Sequence, residues 1–111
     1  MASILRRIAG PAFLASSVAN IYTPPNSAIY VVIFHIHIVN VTTGAVKATL
    51  YTGATGAAAS GTELMKSKSV PATDYIDYYC EKRMDSTDFL TGLASQASAL
   101  VIEVEGEYRA T

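Results

Sequence analysis

Apolar and polar residues alternate with a period of two along most of this chain, the spacing that places successive side chains on opposite faces of a β-strand. The longest such run, YVVIFHIHIVNV at residues 30–41, is rich in β-branched and aromatic residues and too continuous for an amphipathic helix. Its even positions, Tyr30, Val32, Phe34, Ile36 and Ile38, are apolar apart from one hydroxyl, so that face is expected to line the core. Val31, Ile33, His35, His37 and Val39 then share the other face. In residues 46–52, Val46, Ala48 and Leu50 alternate with Lys47, Thr49 and Tyr51. Residues 63–70 read as a short strand closed by Pro71, and residues 74–80 set Tyr75, Asp77 and Tyr79 against Ile76, Tyr78 and Cys80. The last run, 99–108, is the clearest: Leu100, Ile102 and Val104 oppose Val101, Glu103 and Glu105.

Ser86 is placed to cap a helix, but Gly92 and the following serines favour a short strand at 89–93. Further short strands at 4–8 and 19–22 bring the total to about eight, separated by Gly, Pro, Asn and Ser turns. The expectation is an all-β fold, an antiparallel β-sandwich of about eight short strands, jelly-roll-like if the connections cross between sheets. Residues 1–17 are expected to form an N-terminal arm or edge strand, and residues 18–111 a single β-sandwich domain. Arg6, Arg7 and Ser17-Val18-Ala19 loosely imitate a secretory signal, but the Gly10-Pro11 break leaves no continuous apolar core, so cleavage is not expected. No run approaches the roughly 18 apolar residues of a membrane span.

Composition narrows the chemistry. Half of the 111 residues are hydrophobic and 15% are charged, which argues against disorder. The single cysteine, Cys80, has no partner for an intramolecular disulfide and no second thiol for a zinc cluster, which suits a reducing cytosol. The net charge is −1 and the eight Lys and Arg are scattered, whereas a nucleic-acid binder concentrates them in a stripe.

His35 and His37, the only two histidines, stand at i and i+2 on one strand face, a spacing that lets two imidazoles converge on one metal. A metal site needs a third protein ligand. The Glu that a cupin-like pattern carries after three or four intervening residues is replaced by Val41 and Thr42, and there is no third histidine. The expectation is therefore no metal, with the pair covering the outer face of a sheet or packing at a subunit contact. The glycine-containing stretch 53–62 lacks the lysine of a P-loop and reads as a hairpin loop. No G-x-S-x-G elbow surrounds a serine. Asp74, Asp77, Asp85 and Asp88 match no calcium-loop spacing and read as solvated, and Cys80 reads as a small core residue. No catalytic or cofactor-binding residue is expected. Contact surfaces are more prominent: Tyr75 and Tyr79 share a strand face, and Ile4, Leu5, Ile8 and Phe13 flank Arg6 and Arg7 in a segment too apolar for a solvated tail. These eight residues are the candidate protein interface.

Several short motifs follow one another over about residues 8–108. An arm ending Ala9-Gly10-Pro11 leads through Tyr22-Thr23-Pro24 into the long strand that closes on Val39-Asn40. Leu50-Tyr51-Thr52-Gly53, Ser69-Val70-Pro71-Ala72 and Gly92-Leu93-Ala94-Ser95-Gln96-Ala97-Ser98 come next. In this order they resemble small virion structural proteins of tailed bacteriophages, among which are jelly-roll cement or decoration proteins of capsids. The resemblance implies many copies per particle, no cofactor and no catalysis. It implies the major capsid protein and copies of the chain itself as partners, with no nucleic acid, membrane or small-molecule substrate. It also implies a place on the capsid surface after synthesis in the host bacterial cytoplasm. A head–tail or tail accessory role, including carbohydrate binding, is the alternative, followed by a small cupin-like enzyme using His35 and His37.

The alternation at the C-terminal strand is directly testable. Ile102→Ala should destabilise by about 2 to 5 kcal/mol if that side chain faces inward. Glu103→Ala should cost less than about 0.5 kcal/mol. Equal losses in urea unfolding would mean the assigned faces are wrong.

Overall fold

Strands that each carry one apolar face bury it by pairing into sheets and stacking the sheets. A computed structural model describes residues 3–26, 28–53 and 62–110, and the side chains of those between 5 and 109. It contains eight strands: β1 (Ser3–Phe13), β2 (Ala19–Tyr22), β3 (Ala28–Asn40), β4 (Val46–Gly53), β5 (Glu63–Val70), β6 (Tyr75–Met84), β7 (Phe89–Ala94) and β8 (Leu100–Ala110). No helix occurs among the described residues. Two four-stranded sheets form, one in the order β1-β8-β3-β6 and the other β2-β7-β4-β5. Every paired strand runs antiparallel. Only β4 and β5 are neighbours both in sequence and in a sheet; each other connection crosses to the opposite sheet. That is the jelly-roll wrapping of a β-sandwich. The segment 54–61, most of the stretch read as a hairpin loop, lies outside the described residues.

β1 is longer than its pattern suggested. Gly10 has a φ of 81° and precedes a cis bond to Pro11; the pairing with β8 shifts register between Arg7 and Ala9 and again between Ala9 and Ala12, and continues to Phe13. Residues Ser3–Phe13 of the N-terminal segment are thus the edge strand of its own sheet. The N–H of Leu14 then donates to the Leu100 carbonyl at 2.8 Å, and its side chain enters the core.

The core lies between the sheets. Ile36, Ile38, Leu100, Ile102 and Val104 from the first sheet meet Val46, Ala48, Leu50, Leu90 and Ala94 from the second. Cys80 is half-buried against this cluster, and burial pushes its thiol pKa up. One buried polar side chain joins the sheets. Asn40 Nδ2 donates to the carbonyls of Gly44 (2.8 Å) and Val70 (3.0 Å), while its Oδ1 accepts from the N–H (2.9 Å) and hydroxyl (2.7 Å) of Thr42. All four hydrogen-bonding positions of the amide are filled, so its burial carries no unmet polar group.

The expectation that every even position of β3 faces inward holds only for its second half. Ile36 and Ile38 are fully buried, but so are Val31 and Ile33, whereas Val32 and Phe34 are only partly covered. A β-bulge is the cause. Ile33 lies opposite Gly106 and His35 opposite Glu105, so Phe34 has no counterpart in β8. One unpaired residue shifts a period of two by one and exchanges the faces. Gly106 belongs to this arrangement, because a Cβ there would collide with the Val32 carbonyl oxygen.

The exchange of faces predicts opposite sensitivities for neighbouring residues. Ile33→Ala should cost about 2 to 5 kcal/mol and Val32→Ala about 1 kcal/mol or less. Gly106→Ala should cost about 1 to 3 kcal/mol by overpacking. Urea unfolding of the three variants measures this; a more damaging Val32→Ala would restore the unbroken alternation.

Candidate functional site

The outer face of the first sheet is built from rows of side chains supplied by all four of its strands. Phe13, Val101, Val39 and Tyr75 are successive cross-strand partners on β1, β8, β3 and β6. They form an apolar row across the sheet. Phe13 is 55% and Tyr75 56% exposed, and Val41, at 53%, follows where β3 ends. Further along the strands comes a polar row: Arg7, Glu105, His35 and Tyr79 are again successive partners. Between the rows, His37 sits opposite Asp77 on one side and Glu103 on the other.

The bulge at Phe34 sets this arrangement, because it turns His35 and His37 outward while Ile33 stays buried. Asp77 Oδ1 lies 2.7 Å from both His35 Nε2 and His37 Nδ1. On the far side, His35 Nδ1 is 3.0 Å from Glu105 Oε1. Tyr79 stacks on the His35 ring at 4.6 Å and 10° between planes, and Tyr75 tilts against His37 at 5.2 Å. A neutral imidazole has one N–H, so both contacts of His35 are hydrogen bonds only when its ring carries two protons. The bond to Glu105, then that to Asp77, raises its pKa against the opposing effect of burial. Asp77 is held below the usual aspartate range, first by the hydrogen bond from His37 and then by that from His35.

The predicted interface residues are distributed unevenly. Leu5, at 73% exposed, Phe13, Tyr75 and Tyr79, at 73%, stand on the surface. Arg7 Nε pairs with Glu103 Oε2 at 3.0 Å within the sheet. The Arg6 guanidinium lies 5.0 Å from the centre of the Tyr108 ring. Ile8 is half-buried and packs against the core, and Ile4 lies opposite Tyr108 with its side chain outside the described set. Leu5, Arg6, Arg7, Phe34, His35 and Glu105 line an open depression of about 370 Å³.

The four aspartates do not cluster. Asp85 and Asp88 serve the turn after β6, where Asp88 Oδ2 accepts from the Asp85 N–H at 2.8 Å. Asp74 accepts from the Tyr75 N–H at 2.8 Å. Asp77 alone joins the histidines, and it is the third potential ligand that no spacing within the chain supplied. A signal for it existed. Tyr75-x-Asp77-x-Tyr79 is the outward face of β6, and jelly-roll strand order sets β6 beside β3. No family model, curated protein or solved structure matches the chain.

The two titrating groups pull in opposite directions. The stability contributed by His35 is full below its ordinary pKa of about 6.5 and is lost as pH rises through its raised folded value. That from Asp77 is full above about pH 4 and is lost as pH falls through its lowered folded value. Chelator-treated protein should therefore be most resistant to urea between about pH 4 and pH 6.5 and weaken on the alkaline side. In His35→Ala the alkaline loss should shrink; an identical decline in the variant would contradict the assignment.

Proposed function

We propose that this chain is a structural protein of a tailed-bacteriophage virion, a capsid cement or decoration protein that binds neighbouring major capsid subunits by surface complementarity. The observation that carries the reading is the apolar row Phe13–Val101–Val39–Tyr75 on the outer face of the first sheet, exposed at Phe13 and Tyr75 and half-buried at the two valines. Isolated exposed apolar residues are ordinary, but an ordered row of them flanked by charged side chains marks a contact surface. Two further features support the reading. The strand order is that of the double-sheet jelly roll, an architecture used in viral capsids as well as in lectins and cupins. The motif order over about residues 8–108 resembles such virion proteins.

On this reading the edge strand β1 does not leave the domain to reach a neighbour. It contributes Phe13 and Leu5 to the contact face while paired with β8. Cementing is then a face-to-face contact, with Tyr75 and Tyr79 as anchors whose hydroxyls stay at the rim.

Co-sedimentation with undecorated capsids produced from the genome that carries this chain tests the proposal. The unmodified protein should saturate the shells at a fixed ratio to capsid subunits. Phe13→Ser with Tyr75→Ser should lower the affinity at least about tenfold with unchanged circular dichroism, as for loss of central aromatic anchors. Failure of the unmodified protein to bind any shell, or equal binding by the double variant, would contradict it.

A further inference from the structure

We infer that His35 Nε2, His37 Nδ1 and the Asp77 carboxylate form a binding site for one divalent transition-metal ion, of which zinc is the type, on the outer face of the first sheet. The three ligand atoms lie within 4.8 Å of one another and are the one such group among the described residues. Bonds of about 2.0 to 2.2 Å in tetrahedral geometry place ligand atoms about 3.3 Å apart. The two contacts of 2.7 Å therefore open slightly around an ion while the two ring nitrogens draw together. Side-chain rotation supplies this, since all three residues stand on the same face of two paired strands.

A carboxylate oxygen set between two imidazole nitrogens offers a cation a favourable place at this point. Asp77 Oδ1 faces a ring nitrogen of each histidine at 2.7 Å. If either nitrogen presents its lone pair, that lone pair meets carboxylate charge unless a proton or a metal ion lies between them. Two imidazole nitrogens and one carboxylate oxygen are the donor types that suit zinc.

The surroundings fit a metal as well. When His35 Nδ1–H donates to Glu105 Oε1, 3.0 Å away, the Nε2 lone pair of the neutral ring points toward Asp77. Glu105 is a positioning residue here, not a ligand. Tyr79, stacked on His35, and Tyr75, against His37, restrict the two rings. His35 is 22%, His37 32% and Asp77 28% exposed at the side chain, so an ion reaches them from solvent without opening the core. Three protein ligands leave the fourth position to water. The site rests on these contacts alone and is independent of whether the chain belongs to a virion.

The test uses the full chain, expressed without a histidine tag, stripped with a chelator and titrated with zinc chloride by calorimetry. One ion per chain should bind and raise the unfolding temperature. Asp77→Asn and His37→Ala should each weaken binding more than about tenfold, and Glu105→Gln by about 10 to 100-fold as an outer-shell partner. Asp85→Asn, in a distant turn, should leave binding unchanged. A second measurement avoids substitutions. Cobalt(II) added to the unmodified chain should broaden the ring proton resonances of both histidines together at one equivalent. Absence of zinc uptake, uptake unaltered by Asp77→Asn and His37→Ala, or cobalt broadening of neither histidine would overturn the site.

Discussion

The register of β3 between β6 and β8 is the constraint on which both faces of the first sheet depend. A central strand must satisfy two neighbours at once, and β3 does so with one unpaired residue, Phe34, opposite the junction of Glu105 and Gly106. Below the bulge, Ile36 and Ile38 enter the core; above it, Val31 and Ile33 do. Without the bulge one half of the strand would turn its isoleucines to solvent and its polar or half-covered positions inward. Gly106 permits the close passage of the two backbones, since any larger residue would meet the Val32 carbonyl. At the other end of the strand, Asn40 fastens β3 to the turn before β4 and to the end of β5. The register is thus pinned at both ends, once by backbone proximity and once by a saturated amide.

The outer face inherits its order from this register. Because β3 is fixed, His35 meets Tyr79 and Glu105, His37 meets Asp77 and Glu103, and Val39 meets Tyr75 and Val101. The sheet edges are less inviting for partners. β2 spans four residues, β5 exposes Lys66 and Lys68 and is distorted at Ser67, β6 exposes Lys82 and Arg83 just before its end, and β1 is interrupted by register shifts. Short, charged or irregular edges discourage strand addition. The apolar row and the polar cluster lie instead on the open face between these edges.

Much of the fold was legible because period-two alternation depends on local sequence alone. Leu100, Ile102 and Val104 against Glu103 and Glu105 set the faces of β8 correctly, and the strand at 89–93 was recognisable from Gly92 breaking any helix. The bulge was not legible. Residues 30–34 are all apolar or aromatic, so either set of alternate positions satisfies a hydrophobic pattern, and the choice is made by Gly106, some 70 residues away. The extent of β1 was hidden for a related reason. Gly10 and Pro11 read locally as a break, yet pairing with β8 on both sides carries the strand through. Asp77 escaped because ligand-spacing arguments follow the chain, whereas it reaches the histidines across a strand pair. The expectation of no metal at His35 and His37 rested on a missing third ligand, and that premise does not survive the pairing of β3 with β6.

The displaced register of β3 is the central claim, and cross-strand nuclear Overhauser contacts between backbone protons measure it most directly. The account predicts contacts joining His37 to Asp77 and Glu103, but Ile33 to Lys82 and Gly106. An unbroken register would extend the His37 pairing unchanged and set Ile33 opposite Glu81 and Glu107. Contacts of that second kind would contradict the account.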